Sequence, residues 1–189
     1  MAETAAERGR LARQRLLTAA AQLIGEVGWT AVSTRLVAQR AGVLPGVVHY
    51  HFPSVQALLS DAALGAIGEM IDGIGPMLQQ ATSAADGVDA MLTVLGGFTG
   101  TDPMSLLFGE TYLAATRDEQ LRIALGSLVD RFRAEVTEWL AAAGLADPAA
   151  IATLLLATLD GFVLHKALSP ELTVDAIRPA MRRLVSTDR

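Results

Sequence analysis

Cysteine is absent from the sequence, and aromatic side chains make up only 5% of it. The absence of cysteine excludes disulfide bonds, thiolate metal sites and thiol nucleophiles. Lysine is also scarce, since Lys166 is the single lysine beside 14 arginines. Because aromatics that favour strands are few while alanine, leucine and arginine are frequent, the composition favours helices.

A long uninterrupted apolar run is missing as well. A membrane-spanning helix needs about 18 to 20 apolar residues, and the longest candidate, AAIATLLLATLDGFVL, is interrupted by Asp160. The N-terminus lacks the clean apolar core and the cleavage site of a secretory signal. Hydrophobic residues nevertheless make up 51% of the chain, enough for a sizeable core. We therefore expect a soluble, cytoplasmic protein without a membrane partner.

The net charge of −5 is unevenly distributed. Residues 1–58 contain six arginines and three glutamates, whereas residues 59–189 contain nine basic and seventeen acidic residues. A basic segment on an acidic body is the asymmetry expected when one end of a protein meets a polyanion. Chance can produce the same asymmetry, so the charge alone does not decide.

Apolar residues at three- and four-residue spacing run through most of the chain, and strand-type alternation is nearly absent. This pattern predicts a first helix that ends at Gly28. A second helix, TRLVAQRA, is predicted between Ser33 as its cap and Gly42 as its end. The apolar stripe of the first helix consists of Leu11, Leu16, Ala19, Ala20, Leu23, Ile24 and Val27.

Proline and serine mark the next two helices. Pro45 suits the first turn of a third helix, where its missing N–H would be unpaired anyway. That helix must be short because Pro53 disfavours helical geometry at the residue before it. Ser54 then caps a long fourth helix.

The remaining sequence predicts a second helical unit. Thr116 and Glu119 match a capping box in front of an amphipathic helix. A helix over 148–168 is apolar nearly all round, and a last helix over 174–186 has Pro179 in its first turn or at a kink. A helix as apolar as the one over 148–168 needs cover on more than one side, and we expect a second copy of the chain to provide it.

Two of the three histidines, His49 and His51, flank Tyr50. Residues two apart on a helix point about 200° apart, so these two cannot ligate one metal ion from the same helix. The sequence also shows no glycine-rich phosphate loop, no Gly-x-Ser-x-Gly turn that would hold a nucleophile, and no paired carboxylates with a base. We therefore expect no metal, no cofactor and no enzymatic activity.

The same histidines suit a helix-turn-helix. Two helices joined by a tight glycine-containing turn, the second short and polar on one side, are the local pattern of that motif. Its second helix enters the major groove of DNA. Polar side chains on the exposed side of this helix would bind phosphates while Val48 and Phe52 face inward. Phosphate contacts of this kind position a protein without reading sequence.

The segment over 13–59, RQRLLTAAAQLIGEVGWTAVSTRLVAQRAGVLPGVVHYHFPSVQALL, resembles the DNA-binding domain of the TetR family of bacterial repressors. The match includes an alanine pair in the first helix, a glycine followed by an aromatic, and the Tyr-His-Phe run. The resemblance implies an all-α protein in which a three-helix helix-turn-helix domain over 1–53 binds DNA. A long helix would join it to a helical ligand-binding and dimerisation domain over 54–189.

The resemblance also implies roles for single residues. Arg35 would read bases, because a guanidinium can bridge guanine O6 and N7 in the major groove. Ser33 is as well suited to capping the helix alone as to a phosphate contact. His51 also suits a hydrogen bond within the domain, and Arg40 suits a solvated surface charge better than a DNA contact. Arg8 and Arg10 would form a mobile arm along the minor groove. The implied DNA-contacting set is Ser33, Thr34 and Arg35, then Pro45, Gly46 and Val47 nearest the bases, and His49, Tyr50 and His51 on the backbone.

Three positions depart from the family pattern. Leu44 and Val47 stand where hydroxyl residues are usual, and Val55 replaces a lysine that grips phosphate. Losing phosphate contacts lowers DNA affinity and its salt dependence. These residues support an alternative function, a helical ligand-binding or protein-interaction module with weak DNA binding.

The C-terminal part of TetR-like proteins pairs two subunits and holds an effector. LLLATLDGFVLHKALSPEL resembles the pairing helix, which implies a homodimer formed through the helices near 148–168 and 174–186. The absence of a cationic cluster favours an apolar or weakly polar effector, with Glu110, Asp160 and His165 as the polar groups expected to be buried. The large side chains available to line its pocket, each of which is also suited to the core, are Phe98, Met104, Phe108, Tyr112, Trp139, Phe162 and His165.

These features together predict a ligand-responsive transcriptional regulator. It would act as a repressor, bind a palindromic DNA operator as a dimer, and be released by a small-molecule effector.

Overall fold

The chain is helical throughout the residues that the structure describes, 4–186. In this range a computed structural model contains ten α-helices and no β-strand. They are α1 (Ala5–Val27), α2 (Thr34–Ala41), α3 (Pro45–His51), α4 (Val55–Asp72), α5 (Ile74–Gln80), α6 (Ala84–Leu95), α7 (Pro103–Ala115), α8 (Glu119–Ala142), α9 (Pro148–Leu168) and α10 (Val174–Leu184), with a 3-10 turn at Trp29–Ala31 between α1 and α2. The all-α prediction is confirmed.

The first helix begins at a capping box. Thr4 Oγ1 accepts a hydrogen bond from the backbone N–H of Glu7 at 3.2 Å, and Glu7 Oε2 accepts one from the N–H of Thr4 at 2.7 Å. This reciprocal pairing satisfies donors that a helix start would leave free. Arg8 and Arg10 consequently lie within α1. The prediction that they form a mobile arm was wrong.

The end of α1 and both ends of α2 lie where the sequence predicts them. α1 stops at Gly28, whose φ is 82°. Ser33 Oγ caps α2 by accepting from the N–H of Leu36 at 3.3 Å. Gly42 closes α2 in the left-handed conformation, at φ 66° and ψ 38°, which a glycine adopts without steric cost.

The short third helix and the start of the fourth also agree with the sequence. Pro45 is the first residue of α3, and Phe52 leaves the helix with φ −136° and ψ 133°. Ser54 Oγ then accepts from the N–H of Ala57 at 3.1 Å and caps α4. The long fourth helix ends at Asp72, and Gly73 separates it from α5.

We call α1, the 3-10 turn, α2 and α3 the head. The three helices pack on one another around a common apolar core, and each large aliphatic side chain buried there stabilises the fold by about 1.5–3 kcal/mol. Leu11 and Val27, at the two ends of the stripe predicted for α1, are exposed instead. The side chains in this core that are at most 1% exposed include Leu16, Ala20, Leu23, Ile24, Val37, Ala38 and Val48.

The chain divides into two compact units by its internal contacts. The first unit contains residues 4–67 and 106–122, and therefore the head with most of α4 and α7. The second unit contains residues 68–105 and 123–186. The predicted boundary between 1–53 and 54–189 divides the chain by function instead of by contacts, and it stays a prediction.

Within the second unit, α6 packs against α8 and α10. A Cβ atom at Gly87 would lie 2.2 Å from Cζ2 of Trp139, so the close approach of α6 to this indole ring requires a glycine. On α10, Arg178 pairs with Asp89 of α6 at 2.9 Å, and Arg182 pairs with the same carboxylate.

The cap of α8 differs from the prediction. Asp118 Oδ1 accepts from the N–H groups of Gln120 and Leu121 at 3.0 and 3.1 Å. The Thr116 hydroxyl instead donates to the carbonyl of Leu113 at the end of α7. The predicted capping box at Thr116 was wrong because the chain needs two more residues to leave α7 before α8 can start.

α9 is the most apolar helix of the chain. Its most apolar 18-residue window has a mean hydropathy of 1.5, so by length and composition alone the helix could cross a membrane, whereas no apolar run of that length was expected from the sequence. Only 22% of its most apolar window is buried within the chain. Leu154, Leu164 and Leu168 are exposed, the last of them to 84%. An apolar helix of this kind requires further cover.

Lys166 closes α9. Its Nζ donates to the carbonyl oxygens of Pro170 and Leu172, at 2.6 and 2.5 Å. The next helix, α10, continues through Pro179, which is its sixth residue. Pro179 thus lies beyond the first turn, inside the helix.

Candidate functional site

The α2–turn–α3 segment directs its polar side chains outward. After Gly42, the N–H of Val43 returns to the carbonyl of Ala38 at 3.0 Å, which closes a tight turn before α3. Val48 and Phe52 are buried, as predicted. Because α3 is anchored by these two side chains, the intervening residues His49 and Tyr50 face solvent, with Tyr50 84% exposed.

The start of α2 presents three neighbouring polar side chains. Ser33 is exposed, and its Oγ is engaged as the helix cap, which leaves its O–H free to donate. Thr34 is half-buried and Arg35 is exposed. Over residues 4–186, Arg35 forms no hydrogen bond and no ion pair, so all five of its N–H donors are available to a ligand.

The start of α3 is apolar. Leu44 precedes the helix, is 77% exposed, and offers no side-chain acceptor to the first N–H groups. Pro45 and Gly46 are exposed beside it, and Val47 is half-buried. A surface of this kind suits contact with the methyl group of thymine better than hydrogen bonding to base edges.

His51 is half-buried between two aromatic rings. Its ring centroid lies 4.9 Å from that of Tyr50, edge to face, and 6.5 Å from that of Phe52. Within the part of the chain that the structure describes, no group of three or more His, Asp or Glu side chains is arranged to hold a metal ion.

Ion pairs divide the arginines of the head into two groups. Arg40 binds Glu26 through both guanidinium ends, at 2.8 and 2.6 Å, and this hydrogen bonding lowers the pKa of Glu26. Arg13 pairs with Asp61 at 2.7 Å. Four further arginines have no ion-pair partner among residues 4–186, and they give the head its free positive charge: Arg8, Arg10, Arg15 and Arg35.

A structural role of Arg13 escaped the sequence reasoning. Its guanidinium carbon lies 5.0 Å from the centroid of the Phe52 ring at the end of α3. Together with the ion pair to Asp61, this contact links α1 to the end of α3 and to α4. Nothing in the local pattern indicates such a contact, since Arg13 and Phe52 are far apart in the sequence.

The side chains predicted to line an effector pocket belong to both units. Phe108 and Tyr112, in the first unit, contact each other with ring centroids 5.4 Å apart. In the second unit Phe162 is buried, and one edge of the Trp139 ring is taken up by Gly87. Of the other predicted pocket residues, Phe98 and Met104 are half-buried and His165 is exposed.

The three polar groups expected to be buried differ from one another. His165 is exposed, so its expected burial was wrong; α9 is apolar on every side, and its sequence does not reveal which face turns inward. Glu110 is half-buried and accepts from the N–H of Trp29. Burial raises the pKa of Asp160 to about 6, against the opposing charge of Arg133.

Comparisons with known proteins agree with this geometry. A family profile described as "Bacterial regulatory proteins, tetR family" matches residues 16–62, and one described as "Tetracyclin repressor-like, C-terminal domain" matches residues 82–187. The HTH-type transcriptional regulator BetI of Rhizobium meliloti is 28% identical over 167 residues, which are 87% of this chain and 82% of BetI.

Solved structures of regulators share the fold. A Streptomyces coelicolor protein described as a transcriptional regulator superposes with a TM-score of 0.76 at 28% identity, covering 93% of this chain and 99% of that one. A regulator from Saccharomonospora viridis, solved in complex with choline, superposes with a TM-score of 0.77 at 21% identity, covering 94% and 96% of the two chains.

Proposed function

Because this chain belongs to the TetR family of bacterial regulatory proteins, we propose that it is a ligand-responsive repressor that binds a palindromic operator as a homodimer. DNA binding and transcriptional regulation follow from the family. A repressing role, release by an effector and a cytoplasmic location are the finer parts of the proposal. The observation that carries it is the exposed Arg35 at the start of α2, which forms no ion pair or hydrogen bond within residues 4–186, together with the solvent-facing His49 and Tyr50 of α3.

In this proposal Arg35 reads bases in the major groove. Its free guanidinium has the donor geometry for guanine O6 and N7. Ser33 and Thr34 bind a neighbouring phosphate. Pro45, Gly46 and Val47 lie nearest the bases, and His49, Tyr50 and His51 hold the backbone on either side of the groove. Free arginines in α1 add sequence-independent attraction to the phosphates.

The homodimer is proposed to form through α9 and α10. Leu154, Leu164 and Leu168 on α9 are exposed in the single chain, and a second copy would bury them. A two-fold arrangement sets two α3 helices about one turn of DNA apart, roughly 34–36 Å, and so demands a palindromic site.

An effector of low polarity is proposed to bind among the aromatic side chains of the C-terminal helices. The choline complex of the Saccharomonospora viridis regulator supports the general idea that a small organic molecule fits this fold. The effector must bind the DNA-free conformation more tightly than the DNA-bound one, since equal affinity would shift nothing. We assign the transmission to a pivot of α4, the helix that follows the head.

The exposed Leu44 favours a second candidate function. Without a side-chain cap at Leu44 or a hydroxyl at Val47 in the head, and without a lysine at Val55 at the start of α4, fewer phosphate contacts are available. A helical ligand-binding or protein-interaction module with weak DNA binding is consistent with these residues.

Sequencing of captured genomic DNA separates the two functions. Sheared DNA from the source organism is incubated with the protein at physiological salt, and the retained fragments are sequenced. The repressor proposal expects one or a few palindromic sites, which are lost in Arg35→Ala. Arg117→Ala is the matched control, because Arg117 is another exposed arginine without an ion-pair partner among residues 4–186 but lies outside the head. Recovery of no site above background would favour the second function.

A further inference from the structure

A carboxylate from α7 contacts the head at the corner where α1 ends. The backbone N–H of Trp29 donates to Glu110 Oε2 at 2.7 Å. A Cβ atom built on Gly28 would lie in ordinary van der Waals contact with both carboxylate oxygens, at 3.5 Å, so Glu110 rests directly against this stretch of backbone, while the φ of 82° is what favours the glycine. A hydrogen bond to an ionised acceptor is about twice as strong as one between neutral groups.

Trp29 connects the same corner to α4. Its indole Nε1 donates to Gln56 Oε1 at 3.0 Å, and Gln56 is the second residue of α4. The Trp29 side chain is buried. The corner of the head is therefore bound on one side through its backbone to α7 and on the other through its indole to α4.

Glu110 has no competing cation. Among residues 4–186 it forms no ion pair, and the bond to the N–H of Trp29 is its one assigned hydrogen bond. Half-burial of a carboxylate costs free energy unless hydrogen bonds offset it. The head does not need this carboxylate for its core, which is apolar.

Glu110 lies on the same helix, α7, as the contacting rings of Phe108 and Tyr112. Leu107, Thr111 and Ala115 form the buried face of this helix. Phe108 and Tyr112 are each two residues from Glu110, which places them about 160° from it around the helix axis. Glu110 and the Phe108–Tyr112 pair thus flank the buried face on opposite sides.

We propose that Glu110 is a positioning residue for operator binding. By holding the α1–Trp29 corner against α7, it fixes the orientation of the head and thereby of the α3 helix. A rotation or shift of α7 moves the head through this bond, separately from any motion of α4. A molecule that binds against Phe108 and Tyr112 acts on the same helix. The inference rests on the proposed function, since it requires an operator whose binding depends on the orientation of the head.

The contact can be observed without an effector or DNA. Selective ¹⁵N labelling of tryptophan in the full-length protein gives two backbone amide signals and two indole signals, because the chain contains two tryptophans. We expect Glu110→Gln, which keeps the shape of the side chain, to shift the Trp29 backbone amide upfield, since the charge-assisted bond is lost. The Trp29 indole signal, which reports on Gln56, should move less. An unchanged backbone amide signal would contradict the contact.

Operator binding tests the positioning role. With a duplex recovered from the genomic capture, Glu110→Ala should bind about tenfold more weakly than the wild type, the order expected for one bond to a charged group. The slope of affinity against salt concentration should stay unchanged, because no phosphate contact is removed. Glu119→Gln is the matched control: it removes the same charge from an exposed acid whose ion-pair partner within residues 4–186 is Arg122, and it should bind like the wild type.

The possible outcomes distinguish a failure of the proposed function from a failure of the positioning role of Glu110. If the wild type retains no specific DNA, the proposed function fails and the role of Glu110 fails with it. If the wild type binds and Glu110→Ala binds equally well, only the positioning role is overturned. A lower melting temperature in Glu110→Gln with unchanged operator affinity would assign Glu110 a structural role and would also overturn the inference.

Discussion

Arg13 of α1 lies with its guanidinium carbon 5.0 Å from the centroid of the Phe52 ring, at the residue where α3 ends. The same guanidinium donates to Asp61 of α4 at 2.7 Å. One side chain therefore joins the first helix of the head to the end of α3 and to the helix that follows. The position of α3 is fixed by this contact as well as by the apolar core.

Replacement of Arg13 should weaken the head measurably. We expect Arg13→Ala to lower the free energy of unfolding by about 1 kcal/mol, since both the cation–π contact and the exposed ion pair are modest. Urea denaturation followed by circular dichroism measures the change. Arg15→Ala, on the same helix but without an ion-pair partner among residues 4–186, should cost less than about 0.5 kcal/mol. Equal losses in both variants would contradict the role of Arg13.

Gly87 should tolerate no larger residue while Trp139 is present. Gly87→Ala places a methyl group where the indole ring lies, and such overpacking costs about 1–3 kcal/mol. Gly126→Ala is the control: no atom lies within 4 Å of its added Cβ, and alanine favours a helix interior over glycine by about 0.5–1 kcal/mol. Thermal melting should therefore move the two variants in opposite directions. A stabilised Gly87→Ala would show that α6 does not approach Trp139 closely.

Asp160 should make stability depend on pH in the weakly acidic range. Burial raises its pKa to about 6 in the folded chain, while an unfolded aspartate has a pKa of about 3.9. Ionisation therefore costs more in the folded state. The contribution to stability is largest below about pH 4 and declines as the pH rises to about 6.

Asp160→Asn should remove this decline. At pH 7.5 the variant is expected to unfold with a free energy about 1–3 kcal/mol higher than the wild type, as measured by urea denaturation at several pH values. Glu138→Gln, an exposed acid on α8, should change stability by less than about 0.5 kcal/mol at every pH. Parallel pH profiles of Asp160→Asn and wild type would contradict the burial of this carboxyl group.

Val55→Lys should strengthen operator binding by adding a phosphate contact at the first residue of α4. One added contact steepens the slope of log affinity against log salt by about 0.9. Fluorescence anisotropy of a labelled operator at several salt concentrations measures the slope. Gln79→Lys, which adds the same charge at an exposed position of α5, should leave the slope nearly unchanged. Equal slopes for Val55→Lys and wild type would place this residue away from DNA.

The sequence predicted those features of the head that local chemistry determines. Ser33 and Ser54 cap their helices through bonds to an N–H three residues later, and Gly42 and Pro45 suit one backbone conformation each. Thr116 shows the limit of this reasoning. Its spacing to Glu119 is that of a capping box, but the length of the connection between α7 and α8 decides that another residue is the cap.

Contacts between distant segments were beyond prediction from one sequence. Trp29 and Glu110 are 81 positions apart, and no pattern in the sequence pairs them. The exposure of His165 is a related case: α9 has no polar face, so its periodicity does not indicate which side is buried. The residues implied to contact DNA and effector stay predictions, because family resemblance assigns positions and not bound atoms.

Lys166, whose ammonium group is bound by two carbonyl oxygens at the end of α9, is the only lysine in the chain. Apart from His49 and His51, every basic side chain in residues 1–58 is an arginine. Lysine acetylation, which cancels the charge of an ammonium group, therefore has no target in the head. Reagents that attack side-chain amines meet one site in this sequence, and it lies on α9, outside the head. Immobilisation through that amine would leave the DNA-binding surface unmodified.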